Sequence, residues 1–145
     1  MAGETIAVAA DHAGFEYKEL LKRQLGDWGF EVLDLGTDSL ASVDYPDFGR
    51  RLAQAVAGGK AKRGVVICGT GIGISIAANR EKAVRAALCH DVTSARLARA
   101  HNDANVLALG ARTTGIEVAR ETLRAFLDTE FEGGRHQGRV AKLGA

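Results

Sequence analysis

The stretch Val65 to Asn79, reading V-V-I-C-G-T-G-I-G-I-S-I-A-A-N, constrains the fold of this chain more than any other. Val65-Val66-Ile67 is a continuous apolar run rich in β-branched residues, the pattern of a strand buried on both faces. Cys68 falls where that strand ends. Gly69-Thr70-Gly71-Ile72-Gly73 follows, and Ile74-Ser75-Ile76-Ala77-Ala78 reads as the first turns of a helix. Glycines at alternate positions let the backbone turn tightly and aim successive N–H groups inward. Such a nest, opening onto a helix N-terminus, binds an anion or a developing oxyanion. A thiol beside it is placed to act as a nucleophile or a general base. The motif is not a Walker loop, because no Lys-Ser/Thr follows, and not the full dinucleotide fingerprint, because Ile74 and Ser75 stand where a final glycine belongs. Taken alone, the stretch fits equally well a tight turn with a buried, inert cysteine.

The remaining elements alternate around it. Thr5 to Ala10 is an apolar first strand, followed by Asp11-His12-Ala13-Gly14. Phe15 to Trp28 predicts an amphipathic helix, with Tyr17, Leu20, Leu21, Leu25 and Trp28 on one stripe and Glu16, Lys18, Glu19, Lys22 and Arg23 outside it. Gly29 is its C-cap. Glu31 to Leu35 is a second strand, and a polar loop leads to Pro46 at the start of a second helix. Arg85 to Cys89 is a fourth strand, Asp91 caps a helix from Val92 to His101, and Asn105 to Leu109 is a fifth strand. Thr114-Gly-Ile-Glu117 predicts a capping box at the start of a last long helix. Five strands alternating with helices predict one α/β domain over residues 1–145, with a parallel sheet and helices on both faces. Ligands of such sheets bind beyond the C-terminal strand ends. Asp11-His12, Cys68 with its glycine loop, His90-Asp91 and Arg112 lie there, and His101-Asn102-Asp103 is expected on the same rim.

Composition narrows the partners. A net charge of +1 and 6% aromatic residues argue against a nucleic-acid or membrane surface. Cys68 and Cys89 are the only cysteines and form no Cys-x-x-Cys pair. With no signal or membrane-spanning segment in the sequence, the chain reads as cytoplasmic with reduced thiols, and Cys89 as a core residue. Thr70 is placed to hydrogen-bond Cys68. His12, His90, Asp91, His101 and Asp103 include no tight pair such as His-x-x-x-His, so no metal site is expected. Arg112, Arg135 and Arg139 read either as solvated charge or as phosphate ligands; Arg135 and Arg139 are four apart and share a face on a helix, and the arginine fork suits a phosphate. The tail over residues 130–145 is expected to pack on something, a second subunit being one choice.

Five segments, taken together, resemble the type B ribose-5-phosphate isomerases and their galactose- and allose-phosphate relatives. They are Asp11-His12-Ala13-Gly14, Asp44-Tyr45-Pro46-Asp47, Cys68-Gly-Thr-Gly-Ile-Gly with Ser75 to Asn79, His101-Asn102-Asp103 through Arg112, and Gly134-Arg135-His136 with Arg139-Val140. They run in order over nearly the whole chain. The resemblance implies a Rossmann-like three-layer sandwich with a five-stranded parallel sheet. It implies a homodimer, possible further pairing into a tetramer, and an interfacial active site that draws residues from both subunits. The 130–145 tail then packs at that interface.

The activity it implies is aldose–ketose isomerisation of a sugar phosphate, with no metal and no cofactor. Cys68 is then the base, Thr70 assists, and the N–H groups around Gly69, Gly71, Ile72, Gly73, Ile74 and Ser75 form the enediolate hole. His101 opens the sugar ring with Asp11. Tyr45 and Asn102 line the sugar site, and His12, Arg112, Arg135 and Arg139 hold the phosphate. Ile74 occupies the position at which another branch carries a catalytic glutamate, and Gly138 stands where a basic residue is common. Ribose 5-phosphate is the expected substrate, with tetrose, allose or galactose phosphates as alternatives. Two further readings remain at this level: a nucleotide-binding module with Asp91 on a ribose, and a metal-dependent phosphate hydrolase built on the histidines and aspartates.

Overall fold

The computed structural model describes residues 3–144. Strands and helices alternate as β1 (Thr5–Ala10), α1 (Phe15–Asp27), β2 (Glu31–Asp34), α2 (Tyr45–Ala57), β3 (Arg63–Cys68), α3 (Ile72–Ala78), β4 (Ala86–Leu88), α4 (Val92–Asn102), β5 (Val106–Gly110), α5 (Ile116–Asp128) and α6 (Arg135–Leu143). Every pairing is parallel, in the order β2-β1-β3-β5-β4. This is the expected single-domain, three-layer, Rossmann-like sandwich.

The apolar runs of β1, β3 and β5 follow from cover on both sides. Ile6, Val8, Val65, Ile67, Leu107 and Leu109 point to one face and pack with Leu21 and Leu25 of α1, Ala98 of α4, and Leu123 and Phe126 of α5. The alternate residues Ala7, Ala9, Val66, Cys68 and Ala108 meet Phe48 and Leu52 of α2 and Ile74 and Ala78 of α3. Each large side chain so buried contributes about 1.5–3 kcal/mol. The register sets Ala10 beside Ile67 and Cys68 beside Gly110, so the C-terminal ends of β1, β3 and β5 stand level. From β1 the chain crosses outward to β2, and from β3 it moves the other way toward β4 and β5. A crevice therefore opens between the ends of β1 and β3.

Two local expectations are corrected. Lys18 is not outside the apolar stripe but 1% exposed. Its stem lies in the core, and its Nζ reaches Asp34 Oδ1 and Oδ2 at 2.9 and 2.8 Å and Glu19 Oε2 at 2.8 Å, so the buried charge is paired. Burial pushes the Asp34 carboxyl up, but Lys18, Lys22 and the Gly36 N–H outweigh it and hold it below the ordinary value. Nor does Thr114 form a capping box. Gly115 is the N-cap of α5, without a side-chain cap, and Glu117 pairs with Arg120. Thr114 is buried instead. Its carbonyl accepts from the Tyr17 hydroxyl at 2.8 Å, and its own hydroxyl lies 3.5 Å from His90 Nδ1. Tertiary packing has taken the residue that the local pattern assigned to the cap.

Candidate active site

At the crevice a cleft of about 480 Å³ is lined by Asp11, His12, Tyr45, Cys68, Gly69, Thr70, Ile72, Gly73, Ile76 and Arg112. The turn after β3 shapes it. Gly71 has φ +77°, and a Cβ there would lie 2.6 Å from Leu88 Cδ1 and 2.8 Å from the Leu109 carbonyl carbon. Only glycine meets both demands. This conformation brings the Gly71 N–H onto Cys68 Sγ at 3.1 Å. Thr70 does not bond the thiol; its Oγ1 accepts from the Ile72 N–H at 3.2 Å. The Ser75 N–H is also taken, by the Gly71 carbonyl at 3.2 Å. Of the hole expected over Gly69 to Ser75, the N–H groups of Gly71, Ile72 and Ser75 thus have intrachain partners. Those of Gly73 and Ile74, in the first turn of α3, have none among the described residues. The Tyr45 ring lies against Gly73, where a side chain would collide with it.

Neighbouring strand ends bring the other groups to the thiol. The Asp11 N–H donates to the Ile67 carbonyl at 3.3 Å, and its buried carboxylate accepts from the Gly14 N–H at 3.1 Å. The Arg112 N–H donates to the Gly69 carbonyl at 2.8 Å, and its side chain lies over Gly69, whose Cβ would meet a guanidinium nitrogen at 3.4 Å. His12 Nδ1 accepts from the Val43 N–H at 3.1 Å. The neutral ring then carries its proton on Nε2, as a donor.

His101, Asn102, Arg135 and Arg139 do not join this cleft. The expectation that His101 shares the rim is corrected by topology. The helix α4 leaves the C-terminal end of β4 and returns to the opposite edge, where Val106 at the start of β5 pairs with Gly64 and Ala86. There His101 sits in the last turn of α4, its ring stacked on that of His136 with centroids 4.4 Å apart and planes 15° apart. Asn102 lines a separate hollow with Arg85, Lys82 and Leu143. Arg135 and Arg139 are exposed on α6, which packs on α4 of the same chain. Asp91 Oδ1 accepts from the Ser94 N–H at 2.7 Å and so caps α4 as expected. Cys89 is buried, as expected, and burial raises its pKa.

Sequence reasoning passed over two contributors. Val43 acts through its backbone, for which no residue type gives a signal. Glu132 lies 4.0 Å from His101 Nε2 and 3.7 Å from His136 Nε2. Its spacing of four from His136 was a legible sign that the two side chains approach.

A parallel sheet with a thiol, open helix N–H groups and an arginine at its carboxyl rim defines a small-molecule enzyme of the α/β class. The comparisons give the family. The profile of the Ribose/Galactose Isomerase family matches residues 6–143, and the chain belongs to that family. It is 48% identical to ribose-5-phosphate isomerase B of Escherichia coli over 140 residues, 97% of this chain and 94% of the relative. It is 45% identical to a D-erythrulose-4-phosphate isomerase of Pectobacterium atrosepticum, over 97% of this chain and 93% of that one. The solved ribose-5-phosphate isomerase B of Clostridium thermocellum superposes with a TM-score of 0.96 at 49% identity, covering 97% and 95% of the two chains. No helix among the described residues is long and apolar enough to cross a membrane.

Proposed function

We propose that the protein interconverts ribose 5-phosphate and ribulose 5-phosphate. The observation that carries this reading is Cys68 at the mouth of α3, beside two unpartnered N–H groups and under the reach of Arg112. Starting from the open-chain aldose, Cys68 removes the proton from C2 and the carbonyl electron pair moves onto O1, giving an enediolate. The N–H groups of Gly73 and Ile74 hold it while the O2 proton passes to O1, and Cys68 returns its proton to C1 as the C2=O2 bond forms. Proton abstraction beside a carbonyl needs such a base and fixed donors. Thr70 is exposed at the cleft and assists proton handling. Arg112 and the Nε2–H of His12 take the phosphate, whose remote binding fixes C1 and C2 over the sulfur. Asp11 and Tyr45 contact the sugar.

The ring-opening histidine must come from elsewhere, because His101 lies at the other edge of its own sheet. We assign it, with Asn102, Arg135 and Arg139, to the cleft of a second copy in a homodimer. Ile72, Ile76 and Tyr45 support this, being 52%, 49% and 43% exposed around the cleft mouth, where apolar cover is missing. The tail over residues 130–144 then approaches the partner with its arginine face, and residue 145 lies outside the described residues. Two free, buried cysteines fit a reducing, cytoplasmic setting.

The test is turnover of ribose 5-phosphate in excess chelator, beside tetrose 4-phosphates and allose and galactose 6-phosphates. Ribose 5-phosphate is expected to react fastest. Faster turnover of a tetrose phosphate would move this chain toward the reaction named for its Pectobacterium relative. Loss of activity in chelator would contradict the metal-free mechanism.

A further inference from the structure

We propose that His101, Glu132 and His136 form a site for a divalent transition metal of the imidazole-preferring class, Zn2+ foremost, and that its occupancy blocks the enzyme by taking His101. The inhibitory half rests on the role assigned to His101 above; the binding half does not.

One ligand atom from each of the three side chains lies within 4.8 Å of the other two. Glu132 Oε1 stands 3.7 Å from His136 Nε2 and 4.0 Å from His101 Nε2, so one carboxylate oxygen faces both rings. Two imidazole nitrogens and a carboxylate oxygen are a donor set for zinc, copper or nickel rather than for magnesium or calcium, which prefer oxygen alone. Three protein ligands leave a fourth position for water.

The parts differ in freedom in a way that suits capture. His136 is the fixed ligand, its side chain only 10% exposed. The His101 and Glu132 side chains are 37% and 61% exposed in the single chain. A metal bonds in the plane of an imidazole, so closure requires the His101 ring to tilt out of its stack on His136 and the ligand atoms to draw in to bonds of about 2.0–2.2 Å. Breaking the stack also removes His101 from any orientation it holds for a sugar. Arg135 and Arg139 on the same helix oppose a dication, which makes the Glu132 carboxylate the decisive ligand.

The test uses the demetallated full-length protein, with Co2+ as the spectroscopic probe and Zn2+ as the inhibitor. Co2+ is expected to give the visible bands of a four- or five-coordinate ion without the near-ultraviolet charge-transfer band of a thiolate ligand. Zn2+ is expected to inhibit ribose 5-phosphate turnover reversibly, with chelator restoring it. Glu132→Gln should keep metal-free turnover while weakening both Co2+ binding and Zn2+ inhibition by about tenfold or more. His136→Phe keeps an aromatic ring against His101 and should abolish the cobalt bands. Equal Zn2+ potency on wild type and Glu132→Gln would overturn the proposal, as would a thiolate charge-transfer band that Cys68→Ser removes. The cobalt spectrum is read whether or not the chain isomerises a sugar, so failure of the functional reading and failure of the metal site are separate results.

Discussion

At the carboxyl rim of the sheet, Asp11, Cys68 and Arg112 are carried on three adjacent strand ends that backbone hydrogen bonds hold level. At the opposite edge, His101 hangs from the last turn of α4, against a short tail helix and an exposed glutamate. The first region is assembled within one chain. The second offers a histidine, an asparagine and two arginines with nothing in its own chain to act on. If the proposed ring-opening and phosphate-holding roles of the second region hold, catalysis depends on assembly, because neither region has a full set of groups alone.

Changes at the rim should cost most. Cys68→Ala removes the proposed base and should lower kcat by about 10²–10⁴ while leaving the melting temperature nearly unchanged, since the thiol is a small core group. Retention of C2 proton exchange with solvent in that variant would break the assignment. In the second region, Arg135→Ala should raise KM for the sugar phosphate by about tenfold or more, the loss of one charge-assisted bond, with no loss of stability because the side chain is exposed. An unchanged KM would leave the tail without a substrate role.

Structural changes sharpen the same contrast. Gly71→Ala should destabilise the fold by about 1–3 kcal/mol through its positive φ and its collision with Leu88 and Leu109. Gly138→Ala on α6 meets nothing within 4 Å and should leave stability unchanged or slightly raised. Urea titrations of the two variants check both.

The smallest effect is on acid stability. Asp34 and Glu4 are each raised by burial but held lower overall, Asp34 by Lys18 and Lys22 and Glu4 by Arg63, while Glu19 is lowered first by Lys18. The folded state therefore binds fewer protons than the unfolded one just below the ordinary values of 4.5 for glutamate and 3.8 for aspartate. Stability is present above those values and falls as the pH drops through the lowered folded ones. Lys18→Met should flatten that fall in urea titrations between about pH 5 and pH 3.

The sheet, its parallel order of elements and the rim residues were legible because apolar runs and glycine turns report local geometry. Asp91 at the start of α4 and Gly29 after α1 behaved as their residue types predict. Lys18 was not legible, since a lysine stem can lie in a core when carboxylates from another element meet its head. Thr114 followed the capping pattern in sequence, but contacts with Tyr17 and His90 from distant elements decided its place. His101 was assigned to the wrong edge because spacing along a chain does not say which end of a parallel sheet a helix terminus reaches. That follows only from its position between β4 and β5.

The most direct test of the composite site is complementation between two inactive variants. Cys68→Ala and His101→Ala are purified separately, mixed, dissociated and reassembled, and ribose 5-phosphate turnover is measured. If each cleft takes Cys68 from one copy and His101 from the other, half of the dimers are mixed and each mixed dimer has one intact site. Activity should then recover to about a quarter of wild type. Recovery no greater than the sum of the two separate variants, with mixed dimers confirmed by mass, would show that His101 does not serve a second copy's cleft.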